Sequence, residues 1–215
     1  MIFRQTIATA SLILIPFSPQ LSACGVDSSI TKISTIQGVG PKSLLVNESH
    51  TIDAVVVGDF QGAARLNGFF VQEEASDSDE NPSTSEGLFV YDRDFGIDVN
   101  PGDRVRVTGT VDEYRGLTQL SHITALNVCG HNIKLPKTPL SMPVNSLEDY
   151  ESLEGMAIQV QQTLTLVDSH NLARYGELTL SSKGRLFKST QIYRPGSKAR
   201  ALEQKNKNNS IILDD

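Results

Sequence analysis

The amino-acid sequence predicts an all-β protein, and three observations support that class. Between residues 33 and 130, short runs of β-branched and aromatic residues are separated by turns of Gly, Pro, Asn and Asp. Residues 104–111 alternate between polar residues and mostly valine, which is typical of a strand with one buried face. A similar order of strand-like runs begins again after residue 150. The 215 residues suffice for one sizeable domain or two small ones.

The first part of the chain carries five strand-like runs, preceded by an extended stretch at residues 33–37 and a turn at residues 38–41. The first long run breaks at Gly58, and Asn67-Gly68 is a hairpin signal ahead of the second. The five strands are expected at residues 51–57, 69–72, 87–91, 104–111 and 117–128.

Five strands of this length, with a bend in the first and Gly109 in the fourth, suit a small closed barrel of the OB type better than a flat sheet. OB barrels often carry a helix between their third and fourth strands. Residues 92–100 are too few for more than a turn, so we expect a loop to close that end of the barrel.

The domain organisation follows from these runs. We expect the OB domain at residues 24–130, a linker with three prolines at residues 131–150, and a second, incomplete OB-like β unit at residues 151–215. In that unit, a basic stretch at residues 198–209 is a short helix or a loop. If the repeat is real, two strands are missing, so we expect a truncated product or a fragment whose second unit is unstable alone. The strands of the second unit are expected at residues 154–160, 177–181 and 210–214.

The N-terminus predicts export. Arg4 is followed by an apolar run at residues 7–17 and by small residues at positions 22 and 23, so residues 1–23 are expected to be a signal peptide. The apolar run is too short to be a lasting transmembrane helix. The mature chain is therefore expected outside the cell or in the periplasm, without a transmembrane segment.

Cys24 has two possible roles. The run LSAC at residues 21–24 fits a lipobox, which would make the chain an outer-membrane lipoprotein. Alternatively, Cys24 forms a disulfide with Cys129, because two lone thiols commonly pair in an oxidising compartment.

The charge is unevenly distributed. Residues 24–150 hold 9 Lys and Arg against 18 Asp and Glu, a balance of −9, whereas residues 151–215 hold 9 against 7, a balance of +2. An acidic module repels phosphate at long range, so nucleic-acid binding by the first part needs a local patch, a divalent cation or a neighbouring domain.

OB barrels hold single-stranded nucleic acid across strands two and three, where aromatic rings stack on bases and basic side chains meet phosphates. The candidate nucleic-acid-binding residues are Phe89, Tyr91, Arg104, Arg106, Tyr114 and Arg115. In the competing interpretation, the aromatic candidates lie in the barrel core together with Phe69 and Phe70, and Arg104 and Arg106 form ion pairs with Asp103, Asp112 or Glu113.

Asp77, Asp79 and Asn81 place oxygen donors at alternating positions, as calcium-binding loops do. The loop is not an EF-hand, because Pro82 and Leu88 stand where Gly and Glu are required. A solvated loop without metal is the favoured alternative. No catalytic residue is predicted, since the four histidines lack ligand-spaced partners and no phosphate loop or nucleophile elbow is present.

Five runs of the sequence carry a resemblance to known proteins. They are IQGVG (36–40), GFFVQ (68–72), TSEGLFVY (84–91), GDRVRVTGTVDEYRGLTQ (102–119) and NLARYGELTLSS (171–182). These runs resemble one family, the large extracellular endonucleases and deoxyribonucleases of Gram-negative bacteria. The resemblance covers nearly all of residues 24–215 and implies an OB-type domain and a linking β region ahead of an endonuclease/exonuclease/phosphatase catalytic domain.

The resemblance implies binding of single- or double-stranded DNA, but not hydrolysis. The catalytic domain, with its magnesium or calcium, would begin beyond residue 215, so whether the chain is an enzyme stays open. The family also has a cysteine near the mature N-terminus and another after the last barrel strand, which supports pairing of Cys24 with Cys129. The alternative function is a structural or surface-attachment module that binds no nucleic acid.

Overall fold

The computed structural model describes residues 24–25, 29–93, 95–134 and 137–214. The expected signal peptide, residues 1–23, lies outside these ranges. Within them, no helix is long and apolar enough to cross a membrane.

The first part of the chain is a closed five-stranded barrel of the OB type, as predicted. Its strands neighbour one another in the order β1-β2-β3-β5-β4, and β4 closes the ring by pairing with β1. β3 and β5 are parallel, and the other pairs are antiparallel. The elements are α1 Ile33–Gln37, β1 Ser49–Phe60, β2 Gly68–Gln72, β3 Gly87–Tyr91, β4 Arg104–Tyr114 and β5 Leu117–Gly130.

β1 is long enough to pair with two neighbouring strands. Its first half pairs with β4 and its second half with β2, and the pairing with β2 shifts register between Val56 and Gly58. A bulge of this kind bends a strand and increases its twist, which closure of a small barrel requires. The predicted bend at Gly58 is therefore confirmed.

The alternation in β4 sorts its side chains as the sequence predicts. Val105, Val107 and Val111 are fully buried in the barrel core, while Arg104 and Arg106 lie on the outer face. The other strands add apolar side chains to the same core, and each Val, Ile, Leu or Phe among them contributes about 1.5–3 kcal/mol when fully buried. These include Ile52, Ala54, Val56, Phe69, Val71, Leu88, Val90, Leu120 and Leu126.

Residues 33–37 are a helix, α1, and the extended conformation predicted for them is wrong. Ile33 and Ile36, three residues apart, share one helix face and are both completely buried in the core. The Gln37 side chain donates to the Gly87 carbonyl at 2.7 Å, which places α1 at the end of the barrel where β3 begins. Burial of this face overrides the strand preference of a short β-branched run.

The opposite end, where β3 ends, is closed by a loop, as expected. Ile97 and Val99 pack against the core, and the described residues between β3 and β4 form no helix. Gln61 ties this loop to β1 because its amide donates to the Ile97 carbonyl and its carbonyl accepts from the Val99 amide.

The second part is a smaller β unit, as predicted, but its described residues form two small sheets. β8, β9 and β10 form an antiparallel sheet, and β6 pairs in parallel with β7. The basic stretch predicted as a helix or a loop is helical, in α5. The elements are β6 Thr138–Leu140, α2 Glu148–Glu151, β7 Ile158–Val160, β8 Thr165–Asp168, α3 Leu172–Tyr175, β9 Leu178–Ser181, α4 Ser189–Ile192, α5 Ser197–Lys207 and β10 Ser210–Leu213.

The segment expected to be a linker contributes to this unit. β6 lies within it, and Leu140, Met142 and Val144 form a buried cluster against which Leu153 and Ile211 pack. The strand expected at residues 154–160 is shortened to β7, because residues 154–157 contact the barrel.

The barrel and the second unit touch backbone to backbone. A Cβ atom at Gly87 would lie 2.4 Å from the Gly155 carbonyl carbon, so a side chain there cannot be accommodated without a shift. The Ser85 hydroxyl donates to the Glu154 carbonyl at 2.6 Å, and the Ala157 amide donates to Gln72 Oε1 at 3.0 Å. Residues 154–157 therefore cover the barrel beside the start of β3.

Gly87→Ala is expected to destabilise the protein by about 1–3 kcal/mol, because the added methyl group must displace backbone rather than a flexible side chain. The free energy of unfolding from urea titration measures the effect. Gly25→Ala is the matched control, since a Cβ atom at Gly25 meets nothing within 4 Å. Equal stability of the two variants would contradict the tight contact.

Cys24 and Cys129 form a disulfide, with a Cα–Cα distance of 5.2 Å. It ties residue 24 to the end of β5, across 105 residues of sequence. The Cys24 thiol is therefore not available to carry a lipid. Disulfides are typical of chains that leave the cytoplasm.

Candidate nucleic-acid interface

Three aromatic rings form a row on the outer face of β1, β2 and β3. Phe69 points into the core and is fully buried, so its neighbour Phe70 lies on the outer face of β2. Phe70 is paired with Phe89 of β3, with ring centroids 4.8 Å apart. Phe60, at the end of β1, meets Phe70 edge-on at 5.9 Å. Phe70 and Phe89 therefore pack against each other on the outer face of the barrel, whereas Phe69 lies in its core.

Gly68 provides the space for this row. A Cβ atom at Gly68 would lie 2.2 Å from the Val90 carbonyl oxygen and 2.6 Å from Phe89 Cζ. The Phe89 ring therefore lies over the glycine backbone, which explains why only 4% of Phe89 is exposed although it lies on the outer face.

A groove of about 770 Å³ begins at Phe89 and runs over the outer face of β3, β5 and β4. Its lining comes from the loop between β1 and β2, the residues after β3, and the hairpin between β4 and β5. The predicted residues Phe89, Tyr91 and Tyr114 line it together. The other lining residues are Arg65, Leu66, Asn67, Asp92, Arg93, Phe95, Asp112, Leu117, Gln119, Ser121, His122 and Ile123.

The β4–β5 hairpin presents an aromatic ring and a cation side by side. Arg115 and Gly116 both have positive φ, +57° and +88°, as in the two-residue turns that match strand twist. The Arg115 guanidinium lies 5.3 Å from the centre of the Tyr114 ring, and Tyr114 is 55% exposed. Both predicted residues are therefore available to a ligand at the rim of the groove.

Sequence reasoning missed two arginines of the groove, Arg65 and Arg93. Both are exposed and lie in loops, where no strand alternation assigns them to a face. The Arg65 guanidinium donates to the Asp59 carbonyl at 3.3 Å, which directs it along the end of β1. A positional signal could have found Arg65, because the loop after the first strand borders the binding face of an OB barrel. No such signal exists for Arg93, which follows the third strand.

Arg104 and Arg106 lie outside the groove and are paired with Asp53. Arg106 Nη2 is 2.8 Å from Asp53 Oδ2, and Arg104 Nε is 3.1 Å from Asp53 Oδ1. Arg104 also lies 3.6 Å from Glu74. The pairing partner is therefore Asp53 of β1 rather than Asp103, Asp112 or Glu113. The predicted basic stripe exists on β4, but acidic side chains neutralise it.

The residues predicted to bind calcium each contact another group of the protein. Asp77 forms an ion pair with Lys32 at 2.9 Å. Asp79 accepts hydrogen bonds from the Asn81 amide and the Thr84 hydroxyl, and the Asn81 side chain accepts from the next turn of the same loop. Within the described ranges, no three His, Cys, Asp or Glu residues are arranged to hold a metal ion.

The acidic loop instead joins two buried carboxyl groups, Glu73 and Glu86. Glu73 Oε1 accepts the Ile33 amide at 2.7 Å, and Glu86 Oε1 accepts the Ser78 hydroxyl at 2.8 Å. Burial, followed by the hydrogen bond and the negative charge of Glu86, raises the pKa of Glu73 to about 8. Glu73 therefore keeps its proton at neutral pH.

Glu154 is a third acidic group with a shifted pKa. Its carboxylate accepts hydrogen bonds from the Thr118 amide at 3.0 Å and from the Gln37 amide at 3.3 Å. Burial is the main cause that raises its pKa to about 7, and the charges of Glu151 and Glu113 act in the same direction. It lies at the junction of the two units rather than in the groove.

No protein-family model matches the chain, and no curated protein matches it.

Proposed function

We propose that the barrel binds single-stranded nucleic acid, in the first place DNA, in the groove over β3, β5 and β4. The observation that carries this proposal is the combination of exposed arginines and aromatic rings around one open groove. Arg65, Arg93 and Arg115 come from three different loops, and all three are exposed. Aromatic rings stack on any base, while arginines meet the phosphates between bases.

The charge around the groove differs from the acidic charge of the first part of the chain. Its lining contains Arg65 and Arg93 against Asp92 and Asp112, and Arg115 lies at the rim. The local balance is therefore not negative, although residues 24–150 carry a balance of −9. Since screening limits long-range repulsion to about 8–10 Å at physiological salt, a contact of this kind depends on the local charges.

The wider setting follows from the resemblance to extracellular nucleases. On this proposal, the chain is an exported DNA-binding module that accompanies a metal-dependent nuclease domain. The disulfide between Cys24 and Cys129 is compatible with export. The module holds the strand and supplies no catalytic group of its own.

Fluorescence anisotropy with a labelled twelve-nucleotide oligo(dT) at low salt tests the proposal. The double variant Arg65→Glu/Arg93→Glu is expected to bind about tenfold or more weakly than wild type. The slope of log affinity against log salt should become shallower by about 1.4, since each phosphate contact to a single strand contributes about 0.7.

The matched control is Arg194→Glu, which reverses an exposed charge in the second unit and should change the affinity less than twofold. Wild-type protein that binds no oligonucleotide at low salt would end the proposal. An equal loss in the Arg194→Glu variant would exclude the groove as the binding site.

A structural module that binds no nucleic acid is the second candidate. It is favoured by the ion pairs of Arg104 and Arg106 with Asp53 and Glu74, and by the backbone contact between the two units. This candidate predicts no anisotropy change with any oligonucleotide, so the same titration separates the two functions.

A further inference from the structure

The floor of the groove carries a carboxylate where a nucleic-acid ligand would be expected to meet cations. Asp112 lies on the outer face of β4, directly opposite Gln119 of β5, and Gln119 is paired with Phe89 on β3. All three line the groove. A carboxylate repels phosphate, so the part of a nucleotide that can face Asp112 is the base.

The hydrogen bonds at this point fix the orientation of the Gln119 amide. Gln119 Nε2 donates to Asp112 Oδ2 at 3.1 Å, and the Glu113 backbone amide donates to Asp112 Oδ1 at 2.8 Å. A carboxylate can only accept, so the nitrogen of the amide must face Asp112 and its oxygen must face away. Each Asp112 oxygen keeps a second lone pair. Asp112 can therefore receive two further donors.

Guanine is the base that matches two adjacent acceptors. Its Watson–Crick edge has two neighbouring donors, the N1 imino and N2 amino groups, which fit the two oxygens of one carboxylate. Adenine and cytosine present a single amino group at this edge, and thymine a single imino group. Tyr114 follows Asp112 by two residues on the same strand face, so its ring lies next to a base bound at Asp112.

We propose that Asp112 selects guanine in a single strand bound in this groove, an inference that rests on the proposed function. Phosphates lie along the rim near Arg65, Arg93 and Arg115, and the guanine edge turns inward to Asp112. Asp112 contributes to base specificity and not to overall affinity. Removing its charge should strengthen binding to phosphate and weaken discrimination between guanine and the other bases.

The experiment compares three labelled oligonucleotides of equal length. One is oligo(dT), one carries a single central dG, and one carries deoxyinosine at the same position, which lacks the N2 amino group. Wild-type protein is expected to bind the dG oligonucleotide about tenfold more tightly than oligo(dT), because one good bidentate contact to a base gives discrimination of about this size. Deoxyinosine should lose most of that gain.

Asp112→Asn is expected to bring the ratio of dG to dT affinity close to one while oligo(dT) binding persists or improves. The matched control, Asp98→Asn, removes an exposed carboxylate outside the groove lining and should keep the wild-type ratio.

Equal affinity of wild-type protein for all three oligonucleotides would overturn the guanine assignment and leave the proposed binding of single strands intact. An unchanged ratio in the Asp112→Asn variant would overturn the role of Asp112. Absence of binding to every oligonucleotide would overturn both proposals. The deoxyinosine oligonucleotide needs no protein variant, so it tests the contact with the guanine N2 amino group even if Asp112→Asn does not fold.

Discussion

At pH 9, the Glu73→Gln variant is expected to be more stable than the wild-type protein by about 3 kcal/mol, whereas at pH 5 the two should agree within about 1 kcal/mol. In the folded protein, burial and the neighbouring Glu86 raise the pKa of Glu73 to about 8, from an ordinary value of 4.5. Between pH 4.5 and pH 8, Glu73 therefore holds a proton in the folded state that it has released in the unfolded state.

The sign follows from proton binding. Because the folded state binds more protons than the unfolded state between pH 4.5 and pH 8, the free energy of unfolding falls as pH rises through this window. Glu154, with a pKa of about 7, adds to the fall in the same direction. The glutamine of the Glu73→Gln variant keeps an oxygen for the Ile33 amide and, like protonated Glu73, carries no charge at any of these pH values.

Urea titrations of wild-type protein and variant at pH 5, 7 and 9 measure this effect. Glu80→Gln serves as the control, because it removes the same charge from an exposed position of the same loop and should follow the wild-type pH dependence. A wild-type free energy of unfolding that stays constant or rises between pH 5 and pH 9 would contradict the raised pKa of Glu73.

Removal of the disulfide by Cys24→Ser/Cys129→Ser is expected to lower the free energy of unfolding by about 2–5 kcal/mol. The bond closes a loop of 105 residues, so its loss gives the unfolded chain much more conformational freedom. It also releases the segment that precedes α1, and the buried faces of Ile33 and Ile36 depend on that helix staying docked.

Urea denaturation of the oxidised protein, the reduced protein and the double Ser variant measures this loss. The reduced protein and the variant should have the same lowered midpoint, and reductant should leave the variant unchanged. A variant as stable as the oxidised protein would show that the bond adds nothing to the fold.

The barrel could be predicted because its strands obey a local rule. The alternation at residues 104–111 assigns Val105 and Val107 to the core and Arg104 and Arg106 to the surface, and the structure confirms that assignment. The α1 helix could not be predicted, because its five residues favour a strand locally. Their helical conformation comes from the burial of Ile33 and Ile36 by the distant strands.

The candidate site was predictable only in part. Phe89, Tyr91 and Tyr114 could be placed from strand position, and they line one groove. The pairing of Asp53 with Arg106 depends on the register between β1 and β4, which joins residues 53 positions apart in the sequence. Strand alternation says which face a side chain occupies and nothing about its partner on that face.

The contact between Gly87 and Gly155 also decides where the polypeptide can be shortened. A recombinant chain that stops at residue 134 contains all five barrel strands, yet it uncovers the Gly87 peptide and takes away the carbonyl group to which Ser85 donates. The Gln72 oxygen and the Thr118 amide lose their partners in the same cut. Residues 154–157 thus cover one end of the barrel, so shortened versions intended for ligand titration should extend beyond residue 157.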